Sequence, residues 1–341
     1  MSKRVALPPN ASDAGSADGL RFRDDLTRAL GAPVQGGLLL AVSGGPDSMA
    51  MLTLARVAGI AGLHVATVDH RLRAEAAAEA AMVANHCAAI HVPHATLVPA
   101  IPITGASVQA AARQARYALL ADHARMLGVA AVATAHHVDD QAETFLMRAA
   151  RGSGIAGLSG VRARGTIDGV TVVRPLLDWR RAELRAIVRR ADVPFVDDPS
   201  NHDPAHDRTR FRRLLEANEW LGPPQLARSA ATLAEADGDL RAVVDWLWAT
   251  RARELEASVR IDVTDLPREL LRRLARRAIA QVIASHGMAP TQWSESANVE
   301  ALLDALDRGQ RATQAGVVAS PHGSEWRFRP APPRRSSRAA G

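Results

Sequence analysis

With 341 residues, 47% of them hydrophobic, the chain can bury two separate cores. One cysteine, Cys87, excludes a disulfide framework and an all-cysteine metal site, and fits a reducing, cytoplasmic setting. The formal charge of +6 comes almost wholly from arginine, because Lys3 is the only lysine; this excludes a catalytic lysine from the folded part and suits a polyanionic partner such as RNA.

An arginine-rich composition produces the same excess with no such partner, so charge alone leaves the two readings level. In chain order, residues 1–19 are polar and rich in small residues, which predicts a disordered leader without the apolar core of a secretion signal. No later stretch reaches the ~20 apolar residues of a membrane span, so no membrane partner is expected. From 20 to 177, short apolar runs alternate with alanine-rich stretches. Strands are predicted at 38–42, 63–68, 95–98, 129–134 and 171–174, and helices near 21–30, 47–58, 73–89, 107–127 and 140–150. That alternation predicts an α/β fold, a doubly wound parallel sheet with ligands at the carboxyl ends of its strands. Helices at 180–190 and 208–219 follow, joined by a Pro/Asp/Asn-rich connection over 193–207. The breaker cluster Gly222-Pro223-Pro224 marks the predicted end of a first domain, 20–222. Residues 223–330 read as a smaller, mostly helical domain, with helices at 225–255, 267–285 and 295–307 and two β-like runs at 314–319 and 324–329. Residues 331–341 read as a basic, disordered tail.

The first strand runs into Ser43-Gly44-Gly45-Pro46-Asp47-Ser48, and a helix follows. Strand, small-residue loop and helix start in that order make an anion cradle. Glycines admit a ligand to the backbone, hydroxyls donate, and the helix offers free N–H groups with partial positive charge. A phosphate is the expected ligand, and the missing lysine after the glycines separates this loop from the ATPase P-loop. An ordinary βα turn is the competing reading. The second strand ends in Asp69-His70-Arg71-Leu72-Arg73, which is either a ligand-binding edge or a solvated loop. In the helix at 107–127, Arg113 and Arg116 are three apart, so both guanidiniums lie near one face and can clamp a polyphosphate or an RNA backbone; a solvated basic face has the same spacing. The fourth strand leads into His136-His137-Val138-Asp139-Asp140-Gln141-Ala142-Glu143-Thr144, with Asp140 and Glu143 on one helix face. Such carboxylates can hold Mg²⁺ beside phosphates, orient or deprotonate an amine, or simply suit the helix dipole. His136 and His137 are adjacent rather than i,i+4, which is poor zinc geometry. Arg208, Arg210, Arg212 and Arg213 close this domain as a solvated face or a phosphate contact.

Ser-Gly-Gly-Pro-Asp-Ser resembles the PP-loop of the N-type ATP pyrophosphatases. Five ordered motifs across 36–215 together resemble the tRNA(Ile)-lysidine synthetase family. They are this loop, Asp-His-Arg-Leu-Arg at 69–73, Ala-Arg-Gln-Ala-Arg-Tyr at 112–117, the His-His-Val-Asp-Asp-Gln-Ala-Glu-Thr box at 136–144, and Arg-Pro-Leu-Leu at 174–177 leading to Asp-Pro-Ser-Asn at 198–201. The resemblance implies an enzyme that uses ATP and L-lysine to modify the wobble cytidine of a tRNA(Ile) whose anticodon is CAU. It implies ATP binding by Ser43, Gly44, Gly45, Pro46, Asp47, Ser48, Asp69 and His70, and Mg²⁺ at Asp47 and Asp140. Catalytic roles would fall to Asp47, Arg113, Asp140, Arg208 and Arg212, and tRNA or phosphate contacts to Arg116, His136, His137 and Glu143. It further implies a tRNA-binding role for 223–330, a homodimer, and a short form without the extra C-terminal domain of longer members. Two positions depart from the family pattern. Ala76 stands where serine is expected, and Thr209 replaces the asparagine of Arg-Asn-x-x-Arg, which leaves open whether Arg208 or Arg212 is catalytic. A tRNA 2-thiolation enzyme of the same fold is the nearest alternative, but it relies on reactive cysteines or an iron–sulfur cluster, and Cys87 stands alone. A non-catalytic basic tRNA-binding protein is the other alternative, and it would need neither Asp47 nor Asp140.

Overall fold

The computed structural model describes residues 16–104, 108–197, 207–256, 258–288, 293–294 and 296–332. Most of the predicted leader, the tail from 333 and Asp198-Pro199-Ser200-Asn201 lie outside the described residues. Two compact units divide between Ala234 and Glu235.

In the first unit, helices α1 (Ala17–Leu30), α2 (Pro46–Val57), α3 (Ala76–Ala89), α4 (Val108–Leu127), α5 (Val138–Ala149), α6 (Ile155–Leu158), α7 (Arg181–Arg190) and α8 (Asp207–Glu216) accompany six strands. The strands are β1 (Leu38–Ala41), β2 (Leu63–Val68), β3 (His94–Leu97), β4 (Ala131–Ala133), β5 (Arg164–Ile167) and β6 (Val170–Val173), in the order β3-β2-β1-β4-β6-β5. Every pairing is parallel except the β5–β6 hairpin at one edge. β1 is uniformly apolar because both faces are covered. Leu38 and Leu40 pack with Phe22, Leu26, Met49, Leu52 and Leu184 from α1, α2 and α7, while Leu39 packs with Tyr117 and Leu120 of α4. The doubly wound parallel sheet is therefore present. β5 escaped prediction because, as an edge strand, it alternates exposed and half-buried residues and carries no apolar run.

The helix α9 (Pro223–Arg251) begins at the Gly222-Pro223-Pro224 cluster and runs across the division between the units. The second unit adds α10 (Arg268–Ser285) and α11 (Glu300–Asp307) with strands β7 (Ala252–Leu255), β8 (Ser258–Asp262), β9 (Ala312–Gln314), β10 (Val317–His322) and β11 (Glu325–Pro330). They form an antiparallel sheet in the order β7-β8-β11-β10-β9, one face of which packs against α10 and α11 through Val259, Ile261, Trp326 and Phe328. The expected helices are present, and the two β-like runs predicted at 314–319 and 324–329 fall on β10 and β11 of a sheet that is larger than the sequence suggested. Residues 252–255, expected as the end of a long helix, are a strand held by pairing with β8. Cross-strand pairs of that kind leave no apolar period in the chain itself. Among the described residues no helix is long and apolar enough to cross a membrane.

Candidate active site

The carboxyl ends of β1, β2 and β4 open into a cavity of about 830 Å³ in the first unit. At the end of β1 the loop 43–48 is closed on itself. The Ser43 N–H donates to Ser48 Oγ at 3.2 Å, and Ser48 Oγ donates to the Gly45 carbonyl at 2.9 Å. Gly44 sits at φ 89°, and a Cβ added there would lie 3.3 Å from Met82 Cε and 3.4 Å from Val83 Cγ2. Gly45 caps α2 without a side-chain acceptor, which leaves N–H groups of the first turn available to an anion.

At the end of β4, His137 caps α5 in a reciprocal pair. The Asp140 N–H donates to His137 Nδ1 at 3.3 Å, and the His137 N–H donates to Asp140 Oδ2 at 3.1 Å. The buried imidazole also places Nε2 3.3 Å from Asp47 Oδ2 and 3.5 Å from Asp140 Oδ2, so one side chain bridges the two loops. Burial opposes protonation of His137, but Asp140 and Asp47 outweigh it and raise its pKa. Burial likewise opposes ionisation of Asp140, yet His137, Arg208 and His136 lower it to about 2. His136 lies the other way. Burial, reinforced by Arg174, Arg116 and Arg113, lowers it to about 3, so it is neutral at physiological pH, within 3.0 Å of Thr134 Oγ1.

Two further carboxylates of α5 organise the arginines of α7 and α8. Asp139 takes Nε and Nη2 of Arg180 at 3.2 and 3.1 Å and the Arg181 N–H at 2.8 Å. Glu143, only 1% exposed, takes Arg181 Nη2 at 2.7 Å and Arg212 Nε at 2.9 Å, and lies 3.1 Å from Arg208 Nε. Across the cavity, Arg113 and Arg116 of α4 stand over the Tyr117 ring with no ion pair among the described residues. Burial chiefly lowers the Arg116 pKa, Arg113 and Arg208 add to the effect, and Tyr117 opposes it.

Of the expected site residues, Ser43, Gly45, Pro46, Asp47, Ser48, His70, Arg113, Arg116, His136, Asp140, Arg208 and Arg212 line this cavity. Gly44, Asp69, His137 and Glu143 do not. Asp69 Oδ1 accepts the Arg71 N–H at 2.8 Å and so helps hold Arg71 at φ 54°. His137 and Glu143 are buried behind the wall and act on the side chains that form it. Arg180, the N-cap of α7, and Arg181 and Arg185 within it line the cavity too and were not singled out from the sequence. Adjacent arginines at a helix N-terminus oppose the helix dipole, and that is the signal that could have marked them. Cys87 is buried in α3, burial pushes its thiol up to about 11, and it does not line the cavity.

The donor set suits a hard divalent cation shared with phosphates. Mg²⁺ takes one or two carboxylates and fills its remaining positions with water and phosphate oxygens. Asp47, whose buried Oδ1 has no hydrogen-bond partner, and Asp140 on the far side of His137 Nε2 meet that need. Among the described residues no group of three or more His, Cys, Asp or Glu is arranged to hold a metal without such help.

A family model described as a PP-loop domain matches residues 20–218. The chain is 45% identical over 309 residues to a tRNA(Ile)-lysidine synthase of Novosphingobium aromaticivorans, across 89% of this chain and 91% of that one. It is 40% identical over 320 residues to a tRNA(Ile)-lysidine synthase of Zymomonas mobilis subsp. mobilis, across 93% and 95%. Among solved structures, the U34-tRNA thiolase NcsA from Methanococcus maripaludis is similar with a TM-score of 0.51 at 15% identity, over 64% of this chain and 79% of that one, a likeness of fold alone.

Proposed function

The chain belongs to the tRNA(Ile)-lysidine synthase family, and from that premise we propose that it joins L-lysine to C2 of the wobble cytidine in a tRNA(Ile) with a CAU anticodon. PP-loop ATP pyrophosphatases use ATP. The cytidine C2 oxygen attacks the α-phosphorus and pyrophosphate leaves. The lysine ε-amine then attacks C2, loses a proton and displaces AMP, giving lysidine and switching codon reading from AUG to AUA.

One observation carries this reading. A helix start without a side-chain cap, two acidic side chains and the guanidiniums of Arg113 and Arg116, which have no ion pair among the described residues, meet in one cavity at the sheet's carboxyl edge. The loop 43–48 holds the departing pyrophosphate, and Arg113 and Arg116 meet the negative charge that develops as it leaves. His70, whose Nδ1 is buried without a partner, faces the same nucleotide. Asp140 stays ionised, so it can accept from the lysine amine or hold metal with Asp47. Mg²⁺ held by these two carboxylates would neutralise phosphate charge. Glu143 acts as a positioning residue for Arg208 and Arg212, which lie beside the activated nucleotide. A homodimer and a cytoplasmic setting complete the proposal.

A 2-thiolation role is disfavoured because the one cysteine is a buried, high-pKa thiol. The test is incubation of the purified protein with ATP, radiolabelled lysine and unmodified tRNA(Ile) bearing CAU. Label enters the RNA if the reading is right; tRNA binding without lysine incorporation refutes the enzymatic role.

A further inference from the structure

One face of the second unit's antiparallel sheet covers its core, and the other carries a row of like charges. The register sets Arg253 of β7 opposite Arg260 of β8, and Arg260 opposite Arg327 of β11, with Ser320 of β10 next in line. All alternate with the core residues Val259, Ile261, Trp326 and Phe328, so they project to the opposite face. Arg329 stands two residues further along β11 on the same face. None of these four guanidiniums has an ion pair or hydrogen bond among the described residues, and Arg327 Nε is buried with no partner.

Like charges directly opposite across strands destabilise a sheet, so the row costs stability unless something outside the unit answers it. Nearby acids offset it only in part. Asp262 and Glu325 form the neighbouring row, directly opposite each other, and border the arginines along one margin. The Asp262 carboxylate is engaged by the hydroxyl and N–H of Thr264. With strands about 4.8 Å apart, the three arginines extend over roughly 10 Å, the scale of neighbouring backbone phosphates. Arginine suits that ligand because its planar fork matches phosphate oxygens. The face offers charge and hydroxyl rather than an aromatic or branched apolar cluster, which favours a nucleic-acid backbone over a protein surface.

We propose that Arg253, Arg260 and Arg327, extended by Arg329, form a phosphate-backbone contact of the second unit with the tRNA, sequence-independent and separate from the chemistry in the first unit. The inference rests on the proposed tRNA substrate.

The test uses the full chain and an unmodified tRNA(Ile) transcript, with affinity measured across a salt series for the parent and for the triple variant R253Q/R260Q/R327Q. Each arginine–phosphate pair removed lowers the slope of log affinity against log salt by about 0.7–0.9, so the triple variant's slope is expected to fall by about 2. Its KM for tRNA rises about ten-fold or more, and kcat at saturating tRNA is unchanged. Relief of like-charge repulsion leaves its melting temperature equal or higher, which a merely structural role would not do. The matching lysine variant R253K/R260K/R327K retains most of the slope, and R260Q alone lowers it by about 0.8. A folded triple variant with the parent's slope and KM overturns the proposal, and is also the outcome if the face serves an acidic protein instead. Lysine incorporation by the parent is scored separately. An inactive parent rejects the proposed function, whereas an active parent with an unchanged triple-variant slope rejects only the proposed arginine row.

Discussion

Replacing Glu143 with glutamine keeps the side-chain volume but removes the single negative charge on which Arg181, Arg208 and Arg212 converge. The bonds from Arg181 and Arg212, at 2.7 and 2.9 Å to a carboxylate 1% exposed, are charge-assisted and buried on the acceptor side. Such bonds contribute about 1.5–3 kcal/mol each. Arg208 is 43% exposed and adds only what a surface pair does, about 0–1 kcal/mol. The amide oxygen of glutamine remains a neutral acceptor and recovers part of this, so the expected loss is about 2–4 kcal/mol. In a unit of this size each kcal/mol moves the melting temperature by about 2–4 °C. Glu143→Gln should therefore melt about 8 °C below the parent in scanning calorimetry, and Glu143→Ala lower still. The arginines would also lose their fixed positions in the cavity. Turnover should fall, and Arg212→Gln should cost much less activity in the Glu143→Gln background than in the parent. A variant that melts within about 2 °C of the parent, or additive effects of the two substitutions on turnover, would refute the positioning role.

Asp140→Ala should abolish lysine incorporation while leaving tRNA affinity nearly intact, as measured by filter binding; retained turnover would remove the residue from the chemistry. Gly44→Ala forces φ 89° on a residue with a Cβ and crowds Met82 and Val83, at about 1–2 kcal/mol, and should raise the KM for ATP more than it changes tRNA binding, read by pyrophosphate release. His136 has a folded pKa near 3 against 6.5 in the unfolded chain, so the unfolded state takes the proton first as pH falls. Its contribution is complete above pH 6.5 and is lost progressively below it, by about 1.4 kcal/mol per pH unit. Between pH 7.5 and 5.5, His136→Gln should shrink the loss of stability in denaturant titrations by about 1 kcal/mol. Burial lowers His70, His86 and His94 as well, so a remaining acid dependence is expected in the variant.

Much of the first unit was legible. The runs at 38–42 and 63–68 are apolar because helices cover both faces, and the Ser-Gly-Gly loop between strand and helix marks the carboxyl edge of the sheet, where the cavity lies. Arg113 and Arg116 share the predicted cavity because three residues along a helix return to nearly the same side. The second unit was less legible. Glu325–Pro330 alternates cleanly and was expected as a strand, but Ala252–Leu255 mixes arginine and glutamate with apolar residues and shows neither a clean helical nor a clean strand period. Asp69 and Glu143 were singled out by motif position, which says nothing of whether a side chain lines the cavity or lies behind its wall.

By itself the sequence determined the order of strand, loop and helix, the place of the small-residue loop at 43–48 and the family to which the chain belongs. These follow from local rules: apolar period, glycine at a turn, and motifs whose residues are neighbours in the chain. Only the tertiary structure decided that Glu143 gathers Arg181 and Arg212, which lie 38 and 69 residues away, and that His137 bridges Asp47 to Asp140. It alone set Arg253, Arg260 and Arg327 side by side. The physical reason is common to all of these. A charge's partner is whatever the packed backbone brings within a few ångströms, and nothing in the residues flanking that charge records it.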